Sequence, residues 1–86
     1  MNYDTLSEII DQASTALLQA KEGEANELLS QVFDGLLQTA PSFTDDRLKN
    51  LTQLMEIIYD AQQRRDHVYL IDILQYELPK YIALPR

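Results

Sequence analysis

The 86-residue sequence predicts an all-α fold, a compact antiparallel three- or four-helix bundle. Three observations predict it. Apolar residues recur at spacings of three and four along nearly the whole chain, the period of one helix face. No stretch alternates with period two for long enough to make a strand. Only two glycines and three prolines punctuate the chain, too few for the many turns of an all-β domain. The helices are expected at about 5–22, 25–39, 45–63 and 67–78, within a single domain spanning 1–86.

The first helix is expected to begin at a capping box, Thr5 with Glu8, in which each side chain satisfies a backbone N–H left unpaired at the helix start. Leu6, Ile9, Ile10, Ala13, Leu17 and Ala20 make one stripe at roughly 100° per residue, while Asp4, Glu8, Asp11 and Gln12 lie away from it. Gly23 is a candidate left-handed residue closing this helix, because it lacks the Cβ that clashes there. Two readings stay open at "AKEGEAN": a hairpin turn, with Asn26 capping the next helix, or one long bent helix with Gly23 inside it.

The second helix carries a broader apolar arc: Ala25, Leu28, Leu29, Val32, Phe33, Leu36, Leu37 and Ala40. An arc of nearly half the circumference suits a helix packed against two neighbours. Gly35 sits beside this arc, either to allow a close helix approach or as a tolerated weak spot. Pro41 disfavours helix at the preceding residue. Ser42 or Thr44 is placed to cap the third helix, and Asp45 and Asp46 suit its positive N-terminus. Phe43 is expected to fold back as a staple. Leu48, Leu51, Leu54, Met55, Ile58 and Tyr59 form the third stripe. Arg64 and Arg65 suit a helix C-terminus by charge, and Asp66 suits the next N-cap. With no glycine at this turn, a kink in place of a loop is the alternative.

The fourth helix, "HVYLIDILQYEL", raises a separate question. On an α-helical wheel Leu70, Ile71, Leu74 and Leu78 cluster on one side, with Val68 at the edge. Tyr69, Ile73 and Tyr76 form a second stripe almost opposite. A surface helix of a monomer needs only one such stripe. Three explanations compete for the second: a central helix with neighbours on both sides, a second copy of the chain, or a surface that receives a different protein or lies open with its tyrosine hydroxyls in water. Tyr69, Ile73 and Tyr76 are therefore the candidate protein interface. Pro79 is expected to stop or kink this helix. Tyr81, Ile82 and Leu84 are available to cover the end of the bundle, and the last three residues are expected to fray.

Composition excludes several function classes. The net charge of −7 is uneven: residues 1–43 hold seven acids against Lys21 alone, and residues 44–86 hold seven acids and six bases. A field of that sign repels phosphate, so nucleic acid and anionic membranes are not expected partners. The absence of cysteine removes disulfides, thiolate catalysis and thiolate metal sites, and suits a reducing compartment. "MNYDTLSEII" has no basic segment followed by a long apolar run, so a secretory leader is not expected. No stretch reaches the ~18 apolar residues of a membrane span. A cytoplasmic protein is expected.

No catalytic, metal or cofactor site is expected either. His67 is the one histidine, too few for a two-histidine metal site, and no serine is near it in sequence. It is read as a packing or helix-start residue. Asp45 and Asp46 are read as capping residues. No glycine-rich phosphate loop or calcium loop is present. Fourteen acids always allow some carboxylate pair to be chosen, so such a pair carries no information. Four short helices rarely leave a pocket of several hundred cubic ångströms.

The pattern Asp66-x-x-x-Leu70-x-Asp72-x-Leu74-x-Tyr76-Glu77-Leu78 resembles the C-terminal helix of small all-helical bacterial proteins of unknown function, and "FDGL", Phe33 to Leu36, is similar to their middle segment. The resemblance covers about a third of the chain. It implies a bacterial cytoplasmic protein and brings no functional residues with it. In architecture alone, acidic helical hairpins of this length are similar to flagellar and type III export chaperones, which bind amphipathic helices of their clients. The expected function is a non-enzymatic protein–protein interaction module, adaptor or export-chaperone-like, working by helix-in-groove binding. The alternatives are an acidic inhibitor or immunity-type protein masking a basic site, and a structural homodimer.

Overall fold

A computed structural model describes residues 3–81, with side chains from Asp4 to Lys80. The first helix, α1, spans Tyr3–Leu18. It already turns at Tyr3, so Thr5 and Glu8 lie inside it and the expected capping box is not its start. Its buried face is Leu6, Ile9, Ile10, Ala13, Ala16 and Leu17. Ala20, expected on that stripe, lies beyond the helix.

The hairpin reading holds, but the turn sits earlier than Gly23. The Ala20 N–H donates to the Leu17 carbonyl (3.1 Å) and the Lys21 N–H to the Ala16 carbonyl (2.9 Å). These are the two closing bonds of a Schellman motif. Its left-handed residue is Ala20, at φ 57°. Gly23 falls in the first turn of α2, Glu22–Thr39, which starts three residues before the expected Ala25. Asn26 is therefore not a cap; its Oδ1 accepts a hydrogen bond from Gln62 (2.9 Å).

A short 3₁₀ turn, Ala40–Ser42, contains Pro41. The third helix, α3, spans Asp45–Gln63 and is capped by Thr44, whose hydroxyl accepts from the Arg47 N–H (3.3 Å). Phe43 packs against the core as expected, and the Arg47 guanidinium stacks 5.1 Å from its ring. Leu51, Leu54, Ile58 and Ala61 are buried. Leu48 and Tyr59, expected on that stripe, are exposed.

The turn after α3 repeats the first one. The Arg65 N–H donates to Gln62 (3.2 Å) and the Asp66 N–H to Ala61 (3.0 Å), with Arg65 left-handed at φ 56°. Neither left-handed site is a glycine. An L-residue there costs roughly 1–2 kcal/mol, offset by backbone carbonyls that would otherwise lack a donor. The junction left open between a loop and a kink is thus a Schellman turn, and Asp66 then caps α4 by accepting from the Tyr69 N–H (3.2 Å).

The fourth helix, α4, begins as α-helix His67–Asp72, widens into a π turn Ile73–Glu77, and continues as α-helix Leu78–Tyr81. The Leu78 N–H reaches back five residues to the Ile73 carbonyl. Of the two outcomes expected at Pro79, a stop or a kink, the stop does not occur, since the helix continues to Tyr81. Proline lacks an N–H and its ring crowds the carbonyl four residues back, here that of Gln75. A π turn immediately before it opens the ladder at that point.

Consecutive helices run antiparallel, and α4 returns to lie beside α1. Gln75 on α4 donates to Asp11 (3.1 Å) and Ser14 (2.8 Å) on α1. Close backbone contacts join α1 to α2, α1 to α4 and α3 to α4; α2 and α3 stay further apart. One core of Leu, Ile, Val and Ala runs through all four helices, each fully buried Leu or Ile contributing ~1.5–3 kcal/mol. The radius of gyration is 12.0 Å, as for a compact chain of this length. The expected covering of the bundle end by Tyr81, Ile82 and Leu84, and the fraying of the last three residues, lie outside the described side chains.

Candidate functional site

The expected interface on α4 does not form one surface. Tyr69 is 39% exposed and Tyr76 67%, but Ile73 is 1% exposed, inside the core. The π turn is the reason. On a regular α-helix Ile73 and Leu78 lie about 140° apart. With one turn closed over five residues they share a face, and Leu70, Ile73, Leu74 and Leu78 are all buried. Tyr69 instead borders a shallow depression of about 510 Å³ between α3 and α4, with Gln53, Ile57 and Arg64 around it. Of the three explanations for the second stripe, the central-helix one fits Ile73, and the tyrosines remain at the surface.

Leu18, Ile57 and Val68, the last expected at the edge of the core stripe, are exposed singly, and a further apolar surface lies between α2 and α3. Phe33 and Leu37 from α2, and Thr52, Met55, Glu56 and Tyr59 from α3, line a groove of about 450 Å³ whose surface is nearly all carbon. Phe33 and Met55 are half-buried and rest on the core, forming the floor. Leu37 and Tyr59, 60% and 59% exposed, form the walls. The Thr52 hydroxyl donates to the Leu48 carbonyl in its own helix (2.9 Å), so it asks for no partner. Leu48, one turn earlier on the same side of α3, continues the apolar surface. The Asn26–Gln62 hydrogen bond bridges α2 and α3 at the other end. Four short helices are expected rarely to leave a pocket of several hundred cubic ångströms, and what the wider spacing of α2 and α3 leaves is an open groove, not an enclosed pocket.

These four large side chains were all visible in sequence, but as members of core stripes. The useful signal was the breadth of the α2 arc. A helix carrying Phe33 and Leu37 beyond Leu29, Val32 and Leu36 has more apolar arc than one core contact covers.

A polar cluster marks the end of the bundle where the two Schellman turns meet. The Glu22 carboxylate lies 3.8 Å from Arg65 and 3.5 Å from His67, and Arg64 pairs with Asp60 at 2.9 Å. The crevice there is about 80 Å³. His67 stands at the first residue of α4, the helix-start position expected for it. Exposed ion pairs of this kind contribute ~0–1 kcal/mol each. Among the described residues no group of three potential metal-binding side chains converges, and no helix is long and apolar enough to cross a membrane.

Fold and groove together define the class: a small all-α bundle with an open lateral apolar seam. The chain belongs to the DUF8042 family, a domain of unknown function, which matches residues 3–83. No curated protein and no solved structure matches it.

Proposed function

We propose that this protein is a non-enzymatic protein-interaction module, adaptor or export-chaperone-like, that works through the apolar seam between α2 and α3. The observation that carries this reading is the groove itself: Phe33, Leu37, Met55 and Tyr59 offer contiguous carbon to solvent at one place. Apolar patches beyond a few hundred Å² mark interaction sites on soluble proteins, and exposed Leu48 extends this one along α3. Covering Leu37 and Tyr59 gains free energy that the folded monomer leaves unused. The reading includes a bacterial, cytoplasmic setting, supported by the resemblance of the C-terminal helix and by the lack of cysteine.

The test is affinity capture from source cells with wild-type protein and Leu37→Asp in parallel, followed by mass spectrometry. Leu37 is exposed, so the substitution leaves the core intact. A protein retained by wild type and lost with Leu37→Asp supports the reading. Identical capture by both proteins argues that the seam is not the working surface.

A second reading has its own observation. Asp11 and Glu24 border a shallow depression on the α1–α2 face, in the half of the chain that holds seven acids and only Lys21. An acidic decoy masking a basic site would use that face, with association steered by charge. Its affinity collapses with added salt and is indifferent to Leu37→Asp, whereas binding in the apolar seam is lost with Leu37→Asp.

A further inference from the structure

We infer that the occupant of the α2–α3 groove is a single amphipathic helix with basic flanks, supplied by another protein. This rests on the interaction-module reading and names the chemistry of the partner. Length is the first argument. The groove follows α3 from Thr52 to Tyr59 and α2 from Phe33 to Leu37. Seven residues at 1.5 Å rise make about 10.5 Å, the separation of anchors i and i+7 on a partner helix. Two turns of an incoming helix therefore fill it, with anchors at i, i+4 and i+7 facing Phe33, Met55 and the walls.

Charge selects the flanks. Among the described residues, Glu56 is the one charged side chain lining the groove. Asp34, exposed, follows Phe33 on the outer side of α2. Of the two bases within α3, Arg47 stacks on Phe43 and Lys49 stands seven residues before Glu56. The chain as a whole carries −7. A second copy would bring the same acids and the same net charge against this rim, an unfavourable pairing. A helix with Lys or Arg beside its apolar stripe meets Glu56 and Asp34 with opposite charge.

The experiment uses the purified full chain and three fluorescein-labelled, alanine-based 15-residue peptides, read by fluorescence anisotropy at low and moderate salt. One peptide has Leu at i, i+4 and i+7 with Lys flanks, the second has the same leucines with Glu flanks, and the third keeps the lysines with Ser in place of Leu. The first is expected to bind at least about tenfold tighter than either of the others. Leu37→Asp should weaken it by about tenfold or more, and Glu56→Lys should reverse the preference between the first and second; circular dichroism verifies that each variant keeps its helices. Equal binding of the first two peptides overturns the charge assignment and leaves the interaction module standing. Equal binding of the first and third, or binding indifferent to Leu37→Asp, places the contact on acidic surface outside the groove and overturns the inference. Absence of peptide binding, with a dimer in light scattering that Leu37→Asp dissolves, makes the occupant a second copy and overturns it as well.

Discussion

Ala20 takes the role that sequence reasoning assigns to Gly23. Ala20 holds the left-handed φ of 57°, while Gly23 sits in the first turn of α2 with nothing within 4 Å of where its Cβ would be. Ala20→Gly removes a steric cost at the left-handed site while loosening the unfolded chain, for an expected net gain of ~0.5–1 kcal/mol. Gly23→Ala restrains the unfolded chain at no steric cost and gains ~0.4–1 kcal/mol. Urea denaturation of both variants checks the pair; a loss of stability in Gly23→Ala would put the glycine back in the turn. Asp66 caps α4 through the Tyr69 N–H, so Asp66→Ala is expected to lose ~0.5–2 kcal/mol in the same assay. The caps Thr44 and Asp66 were legible because Thr and Asp side chains bond locally to the backbone. The Schellman turns were not, because the glycine rule is a preference that two well-placed backbone hydrogen bonds can outweigh.

At the scale of the element, α4 shows what a helical wheel assumes. The wheel takes each residue as a 100° step. Through Ile73–Glu77 that step is smaller, and the stripe Tyr69, Ile73, Tyr76 divides into one core residue and two surface tyrosines. The prediction at this scale contrasts neighbours on one helix. Ile73→Ala is expected to cost ~2–5 kcal/mol, and Ile73→Glu to abolish the cooperative melt, because it buries a carboxylate with no partner. Tyr76→Glu is expected to stay within ~0.5 kcal/mol of wild type. Thermal melts followed by circular dichroism decide, and a folded Ile73→Glu would contradict the π-turn register. The bounds of α3 were legible, since Thr44, Asp45 and Asp46 mark its start, and Leu51, Leu54 and Ile58 of its stripe are buried, while Leu48 and Tyr59 are exposed. The π turn was not, because a backbone that closes over five residues leaves no pattern that α-periodicity can read.

At the scale of the molecule, the four helices do not close symmetrically. α1 touches both neighbours closely, whereas α2 and α3 stand apart and share Phe33, Leu37, Met55 and Tyr59 with solvent. Leu36 and Leu37 test this arrangement one residue apart. Leu36 is fully buried and Leu37 is 60% exposed. Leu36→Asp is expected to prevent folding, while Leu37→Asp should change the unfolding free energy by no more than ~0.5 kcal/mol. Circular dichroism melts check both, and destabilisation by Leu37→Asp comparable to that of Leu36→Asp would mean that the seam is closed in solution. The groove was half-legible: its residues stood in the stripes, and their excess over one core contact was visible on α2, but nothing in α2 or α3 alone states the distance between them.

Read alone, the chain dictates four helices, three of their four boundaries on the C-terminal side of Pro41, and most of the core, because hydrophobic period and side-chain capping act over one or two turns and leave their mark in local sequence. The assembled bundle dictates the rest. Which apolar residues are surplus depends on how far apart two helices settle, and whether Ile73 faces inward depends on a turn that Leu70, Leu74 and Leu78 fill together from the core side. These are properties of volumes shared between elements distant in sequence, so no single segment carries them.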